Sequence, residues 1–544
     1  MRQTRPVRAH TPTAKVRGRA LHRRALLAAL LAAAGCTAPE RLDRQVHEAL
    51  TETATTLPGL TTNTLADAVG RREPAPAAEP ELALDLDAAL RLATRHSRDL
   101  QGQREQLYLS GLNLLSQDRA FGVELASTVS YVFEAGSDTD EQTSYNADLS
   151  AKRKLPTGAN LSISASTGLD TTTDPDAEES DSHSSSVGVR LDQPLLAGAG
   201  YESTHDSLIQ ARRSLLYALR GFALQRQDFA LGILQRFQAL LTRQTVLRNI
   251  EGNVEQSVFL RRRSEALFKV NRAPAIDVLR AQQQELRAKN QLAVAQSDFE
   301  IDTARFLIEL GLRPDTHIAI KGRVPSMTPV PFEQDACIRL ALRNRLDLAT
   351  ARDRHEDRKR AVRIARRGML PHLDAFGRLT LSGEDTPNFS EQSLDSDSYS
   401  AGLTLQVPLD RRDERDALRK ANINLNASAR ALEQKQYTVR IEVRESFSRL
   451  KALANTVRIE SRTMQIAERR ARNAIQRFKI GELSNRDVVE AENELLDARN
   501  AHARALAEYE LQRLRLLKNI GLLDITPDGT FLEPPAAAKA AAGE

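Results

Sequence analysis

The residue types that usually carry catalysis form no recognisable constellation in this sequence. The chain has ten histidines in 544 residues. No H-x-x-x-H pair lies beside a carboxylate on one helix face. The sequence also lacks a phosphate-binding P-loop, a G-x-G-x-x-G turn and a G-x-S-x-G elbow. We therefore expect no catalytic, cofactor-binding or metal site, and we predict that the chain is not an enzyme.

Two carboxylates, Asp487 and Glu490, follow a turn that contains Gly481 and Ser484. Ser484 and Asp487 have the spacing of a capping box, in which two side chains bond the backbone at the start of a helix. An acid is favoured there because the N-terminal end of a helix carries partial positive charge. The residue pattern alone therefore predicts that a helix begins at this turn.

The first 35 residues have the composition of an export signal. They carry eight basic residues and no acid, and the apolar run 25–34 follows the last two arginines. Ten apolar residues are too few to cross a bilayer as a helix, so we predict a signal peptide at 1–35. Its removal changes the formal net charge from +5 to −3, which argues against nucleic acid as a partner.

Cys36 directly follows Ala33, Ala34 and Gly35, an order that resembles the lipobox of bacterial lipoproteins. The cysteine of a lipobox becomes the lipidated first residue of the mature chain. Ala33 stands where leucine is usual, so an ordinary signal peptide with an incidental cysteine is the alternative. We predict lipidation of Cys36 and interpret the second cysteine, Cys337, as a small core hydrophobe.

Two parts of the sequence repeat each other. FKVNRAPAIDVL at 268–279 corresponds to FKIGELSNRDVV at 478–489, and the offset of 210 continues to Gly311 and Gly521. One offset maintained over so many matching residues is not expected by chance, and it indicates a duplicated structural unit.

The upstream parts repeat with a different offset. ALRLATRHSRDL at 89–100 corresponds to CIRLALRNRLDL at 337–348, an offset of 248. The first unit therefore holds 38 additional residues in its middle. We place repeat 1 at 82–312 and repeat 2 at 333–522.

Each repeat begins with a helical stretch, 85–119 or 333–369, and then changes to alternating apolar and polar residues. This period of two is typical of strands with one apolar face. We predict strands within about 121–192 and about 372–408. Repeat 1 would hold two to four of them, with a solvated loop at 168–185.

Pro194 and Pro408 end the two strand regions, because proline cannot donate a hydrogen bond to a sheet. Long helices follow at about 204–270 and 413–480. The second of these has a heptad seam, which requires a packed partner; its residues are Val443, Phe447, Leu450, Ala454 and Val457.

A shorter helix returns in each repeat to Gly311 or Gly521. It covers little more than half of the long helix, so we expect the opening helix of the other repeat to supply the remaining contact. The proline-rich segment 313–332 is predicted as a linker at mid-height, with a short strand at 317–321. Residues 36–81 are predicted as a lipid-anchored segment of low order, and 523–544 as a C-terminal tail.

These elements predict a chain that is mainly α with a β-barrel portion, made of two helix–strands–helix repeats. Repeat 2 supplies about two strands, and so few strands cannot close a barrel. Unpaired backbone groups at an open sheet edge are not tolerated in lipid. The chain is therefore expected to oligomerise, although the residues alone do not give the number of copies.

The repeated motifs resemble the outer membrane efflux protein family over about 82–522. They are QPLL at 193–196 with Gly198 and Gly200, VPL at 407–409, and the two F-K-x-x(6)-D-V turns. The resemblance implies a homotrimer with twelve strands in the outer membrane above a long helical tunnel in the periplasm. It also implies three partners: outer-membrane lipid, a periplasmic adaptor (membrane fusion) protein, and an inner-membrane RND or ABC transporter.

The resemblance also assigns roles to individual residues. Acids six and nine places after the glycine of the second turn line the periplasmic aperture in this family, and here they are Asp487 and Glu490. Capping and lining do not exclude each other. The helix tips that would contact the adaptor hold Lys269, Asn271, Asp277, Lys479, Gly481 and Ser484, of which Asp277 more simply caps its helix. The strand-to-helix turns hold Pro194, Gly198, Gly200 and Pro408.

The resemblance implies an outer-membrane duct that passively exports substrates received from the pump and adaptor, in tripartite efflux or type I secretion. The alternative is a coiled-coil tether of the cell envelope without a pore. The strands distinguish the two, because a tether has no need of alternating strands bounded by proline at the same place in both repeats.

Overall fold

A computed structural model describes residues 39–55, 82–136, 139–173, 180–270, 274–322, 327–330, 333–383, 394–480 and 482–532. The predicted signal peptide, Cys36, Asn271 and Gly481 lie outside these residues. The helices, in chain order, are α1 (Pro39–Thr55), α2 (Leu86–His96), α3 (Arg98–Arg119), α4 (Tyr201–Thr204), α5 (Asp206–Lys269), α6 (Ala275–Glu309), α7 (Gln334–Asn344), α8 (Leu346–Arg367), α9 (Arg412–Lys479) and α10 (Asn485–Asn519).

The strands form one large sheet and two small ones. The large sheet has six antiparallel strands in the order β2-β3-β4-β5-β7-β8. The strands, in chain order, are β1 (Leu82–Leu84), β2 (Val123–Gly136), β3 (Thr139–Lys154), β4 (Asn160–Thr173), β5 (Ser180–Pro194), β6 (Ile318–Ile320), β7 (His372–Ser382), β8 (Ser396–Gln406), β9 (Asp524–Ile525) and β10 (Phe531–Leu532).

Repeat 1 supplies four strands of the large sheet and repeat 2 supplies two. Four strands are the upper limit of the predicted count for repeat 1. The predicted loop at 168–185 is wrong in part, because β4 continues to Thr173 and β5 begins at Ser180. Its Ser, Thr and Asp residues pair across the two strands, as in Thr171 with Asp181. A polar composition therefore does not distinguish a loop from a pair of polar strands.

The predicted opening helix of each repeat is broken once, at Ser97 in repeat 1 and at Arg345 in repeat 2. Both residues have extended backbone, with ψ of 130° and 122°. The break brings the end of α2 against Gly311, where a Cβ atom would lie 2.1 Å from the carbonyl oxygen of His96. Gly521 approaches Asn344 in the same way in repeat 2. The two repeats therefore share this contact as well as their order of elements.

The opening helices pack mainly along the long helix of their own repeat, so the expected pairing with the other repeat is wrong as the main contact, although α8 also contacts α5. Leu107 and Leu114 of α3 share a buried cluster with Leu208 and Leu215 of α5. In repeat 2, Cys337 and Ala341 of α7 and Val439 and Val443 of α9 share another. The residues of each helix are one or two turns apart, so the stripes face each other along a coil.

The heptad seam of α9 is confirmed. Val443, Leu450 and Val457 are buried, whereas Phe447 and Ala454 are half-buried against the same cluster. The cluster also contains Tyr509 and Leu516 from α10 and Ile520, which follows it.

The prediction of low order for 36–81 is wrong for 39–55, which form α1. Val46 and Leu50 lie one turn apart and are fully buried against α3 and α5. Gly111 makes room for them, since a Cβ atom there would lie 2.9 Å from Cγ1 of Val46. The hydroxyl of Tyr108 also donates to Asp43, at 2.6 Å.

The predicted tail at 523–544 is structured at its start. β9 and β10 form a small hairpin, and Ile525 is buried beside Leu90 and Phe237. Arg226 donates to the carbonyl oxygen of Ile525 at 2.8 Å. Among the described residues, no helix has a stretch long and apolar enough to cross a membrane.

The predicted short strand in the linker is confirmed as β6, which pairs with β1 in parallel. Residues 82–84 thus bring the start of repeat 1 to the linker between the repeats. Leu84 and Ile320 are both buried in the cluster around Phe306. This small sheet anchors the linker to the helices.

Gly311→Ala is expected to destabilise the chain strongly. The glycine has φ of +79° and its missing Cβ faces backbone. The left-handed conformation alone costs about 1–2 kcal/mol for alanine, and the contact with His96 adds to this. Denaturant unfolding followed by far-ultraviolet circular dichroism measures the loss.

Gly232→Ala is the matched control for this substitution. Gly232 lies within α5, and an alanine Cβ there would meet no atom of another element within 4 Å. Alanine should therefore be neutral or stabilising at this position. Equal stability of the two variants would contradict the proposed packing of the repeats at Gly311.

Candidate functional site: a two-faced sheet and two helix tips

The register of the large sheet determines which residues share a face. Directly paired residues on antiparallel strands point to the same side of a sheet. Val123 is connected by successive pairings through all six strands; its partners in order are Arg153, Leu161, Leu191, Gly377 and Ala401. These six residues, together with every second residue along each strand, form one face of the sheet.

That face is apolar over most of its area and is exposed in the single chain. Its large side chains come from every strand; they are Val123, Leu125, Val129, Tyr131, Phe133, Leu149, Ile163, Val189, Leu191, Leu379, Tyr399, Leu403 and Leu405. Tyr399 is 85% exposed and Leu125 is 73% exposed. An apolar surface of this extent requires cover in the functional state.

The opposite face is dominated by small polar side chains. Members of this face include Thr128, Ser130, Asn146, Ser150, Ser162, Ser164, Ser166, Ser184, Ser186, Thr380, Ser398, Ser400 and Thr404. Some of them bond across strands, as Ser166 does with Ser186 at 2.7 Å. A sheet with one apolar and one polar face can separate lipid from water.

The turn from β5 into the helices holds the predicted residues Pro194, Gly198 and Gly200. Pro194 ends the strand opposite Asp374 of repeat 2. Gly198 and Gly200 have φ of +81° and +89°, conformations that glycine adopts without strain. The backbone of Leu195 donates to Leu373 at 2.7 Å, so this turn joins the two repeats.

The same turn also contacts the turn of the hairpin that links β3 and β4, and the sequence did not reveal this contact. Gly200 donates its backbone N–H to Thr157 at 3.0 Å, and the Thr157 hydroxyl bonds Gln193 at 2.7 Å. Gly158 approaches closely, since a Cβ atom there would lie 2.8 Å from the Thr204 hydroxyl oxygen. The QPL motif at 193–195 and the LPTG turn at 155–158 therefore contact each other, and neither motif alone indicates this contact.

The second strand-to-helix turn is simpler. Pro408 follows β8, and its carbonyl oxygen accepts from Arg411 at 3.3 Å. Arg412 bonds the carboxylate of Asp410 at 2.7 Å at the start of α9. Leu409 is fully exposed, so this turn presents an apolar side chain beside charged ones.

The tip between α9 and α10 contains the predicted capping box. Ser484 donates its backbone N–H to Asp487 at 3.0 Å and its hydroxyl at 2.7 Å. These hydrogen bonds from Ser484 lower the pKa of Asp487, so this carboxylate is ionised at neutral pH. Glu490, one turn further on, lies 3.5 Å from Arg470.

The tip between α5 and α6 is built differently. Pro274 precedes α6 and provides no side-chain cap. Asp277 lies in the first turn, 3.5 Å from Arg280. Lys269 ends α5, as Lys479 ends α9. The roles predicted for these tip residues, in adaptor contact or in an aperture, stay predictions.

The interiors of the two hairpins also differ near their tips. In repeat 2 the interior is apolar, with Ala471, Ala474, Val488 and Leu495 buried together. In repeat 1, Glu285 occupies the position equivalent to Leu495 and pairs with Arg261 and Lys289.

Arg263 joins the two tips and was not foreseen from the sequence. Its guanidinium donates to the carbonyl oxygens of Phe478 and Lys479, each at 3.2 Å, and lies 4.6 Å from the centre of the Phe478 ring. A cation is favourable there because the last carbonyls of a helix carry partial negative charge. The partners are more than two hundred residues apart, so no local pattern marks this contact.

A second long-range network joins α5 to α8 below the sheet. The Tyr217 hydroxyl donates to Asp357 at 2.5 Å, and Arg360 bonds both Asp357 and Asp206 at 2.9 Å. Burial, together with the hydrogen bond to Asp357, raises the pKa of Tyr217 to about 12. Arg363, which is exposed near the end of α8, pairs with Glu202.

Comparison with known proteins identifies the second repeat. Residues 337–522 match the outer membrane efflux protein family. The resemblance inferred from the repeated motifs is therefore confirmed. No curated protein matches the chain.

Solved structures with the same fold include outer-membrane channels. The outer-membrane channel OprN matches with a TM-score of 0.60 and 16% identity, over 84% of this chain and 99% of that one. The Campylobacter jejuni channel CmeC matches at 0.60 and 14%, over 84% and 89%. The Vibrio cholerae outer membrane protein VceC matches at 0.58 and 16%, over 80% and 96%. These matches confirm the predicted fold of long helices joined to a sheet.

Arg263→Ala is expected to loosen the end of α9. Loss of the two hydrogen bonds and the ring contact removes roughly 1–2 kcal/mol from the local closed state, so local opening should rise about 5–30-fold. Limited trypsin digestion of the full chain, scored by the rate of cleavage after Lys479, measures this.

Arg262→Ala is the matched control, because Arg262 is the exposed neighbour on the same helix. Arg263→Lys should recover part of the protection by retaining a cation at the helix end. An unchanged cleavage rate in Arg263→Ala would show that the contact does not hold the tips together.

Proposed function

We propose that the chain is an outer-membrane duct that exports substrates passively. The observation that carries the proposal is the six-stranded sheet, to which both repeats contribute and whose two faces differ in polarity. The apolar face suits lipid, and the polar face suits a water-filled passage. A coiled-coil tether would have no use for such a sheet.

The position of the helices supports the remaining parts of the proposal. The two longest helices, α5 and α9, leave the sheet at the same end, because β5 and β8, which precede them, run in the same direction. With the sheet in the outer membrane, α5, α6, α9 and α10 would extend into the periplasm. A helix of 64 or 68 residues is about 100 Å long, enough to cover much of that depth.

In the proposed assembly, three copies form the duct and the helix tips meet a periplasmic adaptor (membrane fusion) protein. An inner-membrane pump of the RND or ABC class would supply the substrate and the energy. The tip residues Lys269, Asp277, Lys479 and Ser484 are exposed or half-exposed in the single chain, as docking requires.

A lipid on Cys36 is compatible with the fold and is part of the proposal. Cys36 comes three residues before α1, which packs on α3. Gln45 of α1 lies 3.5 Å from Arg119 at the end of α3, just before β2 begins. An acyl chain on Cys36 would therefore be attached close to the membrane level of the strands.

Ile163→Arg and Ser164→Arg test the proposed placement of the sheet. The two residues are neighbours on β4 but lie on opposite faces. Arginine on a lipid-facing position costs about 2–4 kcal/mol near the bilayer centre and little in a lumen. We expect Ile163→Arg to lower the amount of chain in outer-membrane fractions and its heat-modifiable migration, and Ser164→Arg to leave both unchanged.

Equal behaviour of these two variants would contradict a membrane-spanning sheet. Absence of the unmodified chain from outer-membrane fractions would do the same and would favour the tether.

Asp487→Asn with Glu490→Gln tests the proposed aperture. Asparagine keeps a hydrogen-bond acceptor for Ser484, so the cap is retained while the charge is lost. In planar bilayers, the double variant should show weaker cation preference, because rings of carboxylates concentrate cations. Asp277→Asn is the control, with no change expected; a change in both would show that general surface charge governs selectivity.

A further inference from the structure

Repeat 1 contributes two more strands to the sheet than repeat 2. The added hairpin, β3 and β4, accounts for the longer sequence of repeat 1. It is inserted between β2 and β5 and is paired along its whole length on both sides. β3 and β4 also continue the two faces, with Leu149 and Ile163 on the apolar side. The hairpin is therefore part of the wall.

The turn between β3 and β4 is held in place by contacts with the turn that follows β5. Thr157 and Gly158 contact Gln193, Gly200 and Thr204 through hydrogen bonds and close packing. These contacts lie at the end of the sheet from which the helices leave. The added strands are thus attached to the frame that holds the rest of the sheet.

Within the described sheet, β2 and β8 are each paired on one side only. Both carry exposed apolar side chains, including Val129 on β2 and Leu403 on β8. A strand edge in lipid leaves its N–H and C=O groups without water or partners, at a cost of several kcal/mol for each group. Both edges therefore require a strand from another chain.

The strand directions decide which edges can meet. Six antiparallel strands place β2 and β8 in opposite directions. If β2 met β2 of another copy in antiparallel fashion, the helices of the two copies would leave on opposite sides of the membrane. Only β2 against β8 keeps all helices on one side and every strand antiparallel. Such a head-to-tail contact closes into a ring.

We propose that β2 of one copy pairs with β8 of the next, so that three copies enclose an eighteen-stranded barrel. The number three rests on the trimer of the proposed function. The count of six strands for each copy comes from this structure. The second copy of this chain is therefore the partner for both open edges.

The register gives the width of this barrel. The line of pairings that starts at Val123, the first residue of β2, reaches Ala401, five residues before the end of β8 at Gln406. The register therefore shifts by about one residue for each strand crossed. Barrels with this shift per strand have strands tilted by ~36° from the barrel axis. Eighteen such strands give a backbone diameter of about 34 Å, against about 23 Å for twelve.

The added strands widen the passage without filling it. Their polar-face residues are mainly small, such as Ser150, Ser162, Ser164 and Gly168. The passage through the sheet therefore admits polar solutes larger than a twelve-stranded barrel would. The size limit for the cargo then lies at the helical mouth.

Cysteine cross-linking tests the seam. We assume that the register shifts by one more residue across the seam between two copies. Ser130 of β2 in one copy then lies opposite Ser400 of β8 in the next copy, and both are on the polar face. The variants are made in a chain that carries Cys337→Ala. S130C is combined with S400C, or with S398C in case the register is shifted. After oxidation, we expect covalently linked dimers and trimers, with no larger species. S127C with S400C lies on opposite faces and should give none.

The outcomes separate this proposal from the proposed function. A cross-linked ladder that ends at the trimer supports the β2–β8 seam between copies and, with six strands in each copy, an eighteen-stranded barrel. A resistant trimer without the β2–β8 link would overturn the eighteen-stranded barrel and leave the duct intact. A link between β2 and β8 within a monomer would overturn both the eighteen-stranded barrel and the trimeric duct.

Labelling of cysteines with maleimides of different size tests the width of the barrel. A chain that lacks 137–179 joins β2 directly to β5 and removes the added hairpin. With S164C or S400C on the polar face, proteoliposomes are treated with maleimide-polyethylene glycols of increasing mass. The full chain carrying S400C should react with larger reagents than the shortened chain carrying the same substitution. Equal size limits would contradict a wider barrel, and S164C reports whether β4 faces the same water-filled space.

Discussion

The backbone hydrogen bond at the edge of a sheet is the constraint on which this structure depends. Inside one chain, five successive pairings satisfy the N–H and C=O groups of neighbouring strands and align one apolar face. At β2 and β8 the same groups have no partner within the described sheet. Lipid cannot supply one, so in the proposed membrane setting the chain would be stable only beside copies of itself. In that setting the backbone itself would require oligomerisation.

The sheet and the helices are coupled through a few backbone contacts. The turn after β5 bonds to β7 of the other repeat and to the β3–β4 hairpin. Below it, Arg360 of α8 pairs with Asp206 at the start of α5, and its neighbour Asp357 accepts a hydrogen bond from Tyr217 of α5. The charges in this network are close together and partly shielded from water, so they fix the angle at which the helices leave the sheet. In the proposed duct, a connection of this kind would keep the lumen and the helical part in line.

The two hairpin tips have the same order of elements but different interiors. Repeat 2 packs Ala471 and Leu495, whereas repeat 1 places Arg261 and Glu285 between its helices. Apolar packing is little affected by moderate salt, whereas an ion pair near the surface contributes less and is screened by salt. The first hairpin is therefore the more easily separated of the two. Arg263 connects them by holding the end of α9.

The sequence determined the elements and their order, because periodicity and capping are local. The prolines Pro194 and Pro408 and the heptad seam at Val443 each depend on neighbours a few residues away. The 210-residue offset is found by comparing the sequence with itself. Ser484 and Asp487 showed the cap for the same reason. The family resemblance followed from these motifs and was sufficient to predict the fold.

Tertiary structure alone decided the features that depend on distant residues. Val46 and Leu50 form a packed helix only because Gly111 leaves space for them. The polar stretch around Thr171 becomes strand because β5 pairs with it, and composition favours a loop there. The contact of Arg263 with Phe478 and the meeting of Thr157 with Gln193 join residues that no period relates. Local patterns specify local geometry, whereas register, edge and long-range charge pairing are set only when the whole chain is packed.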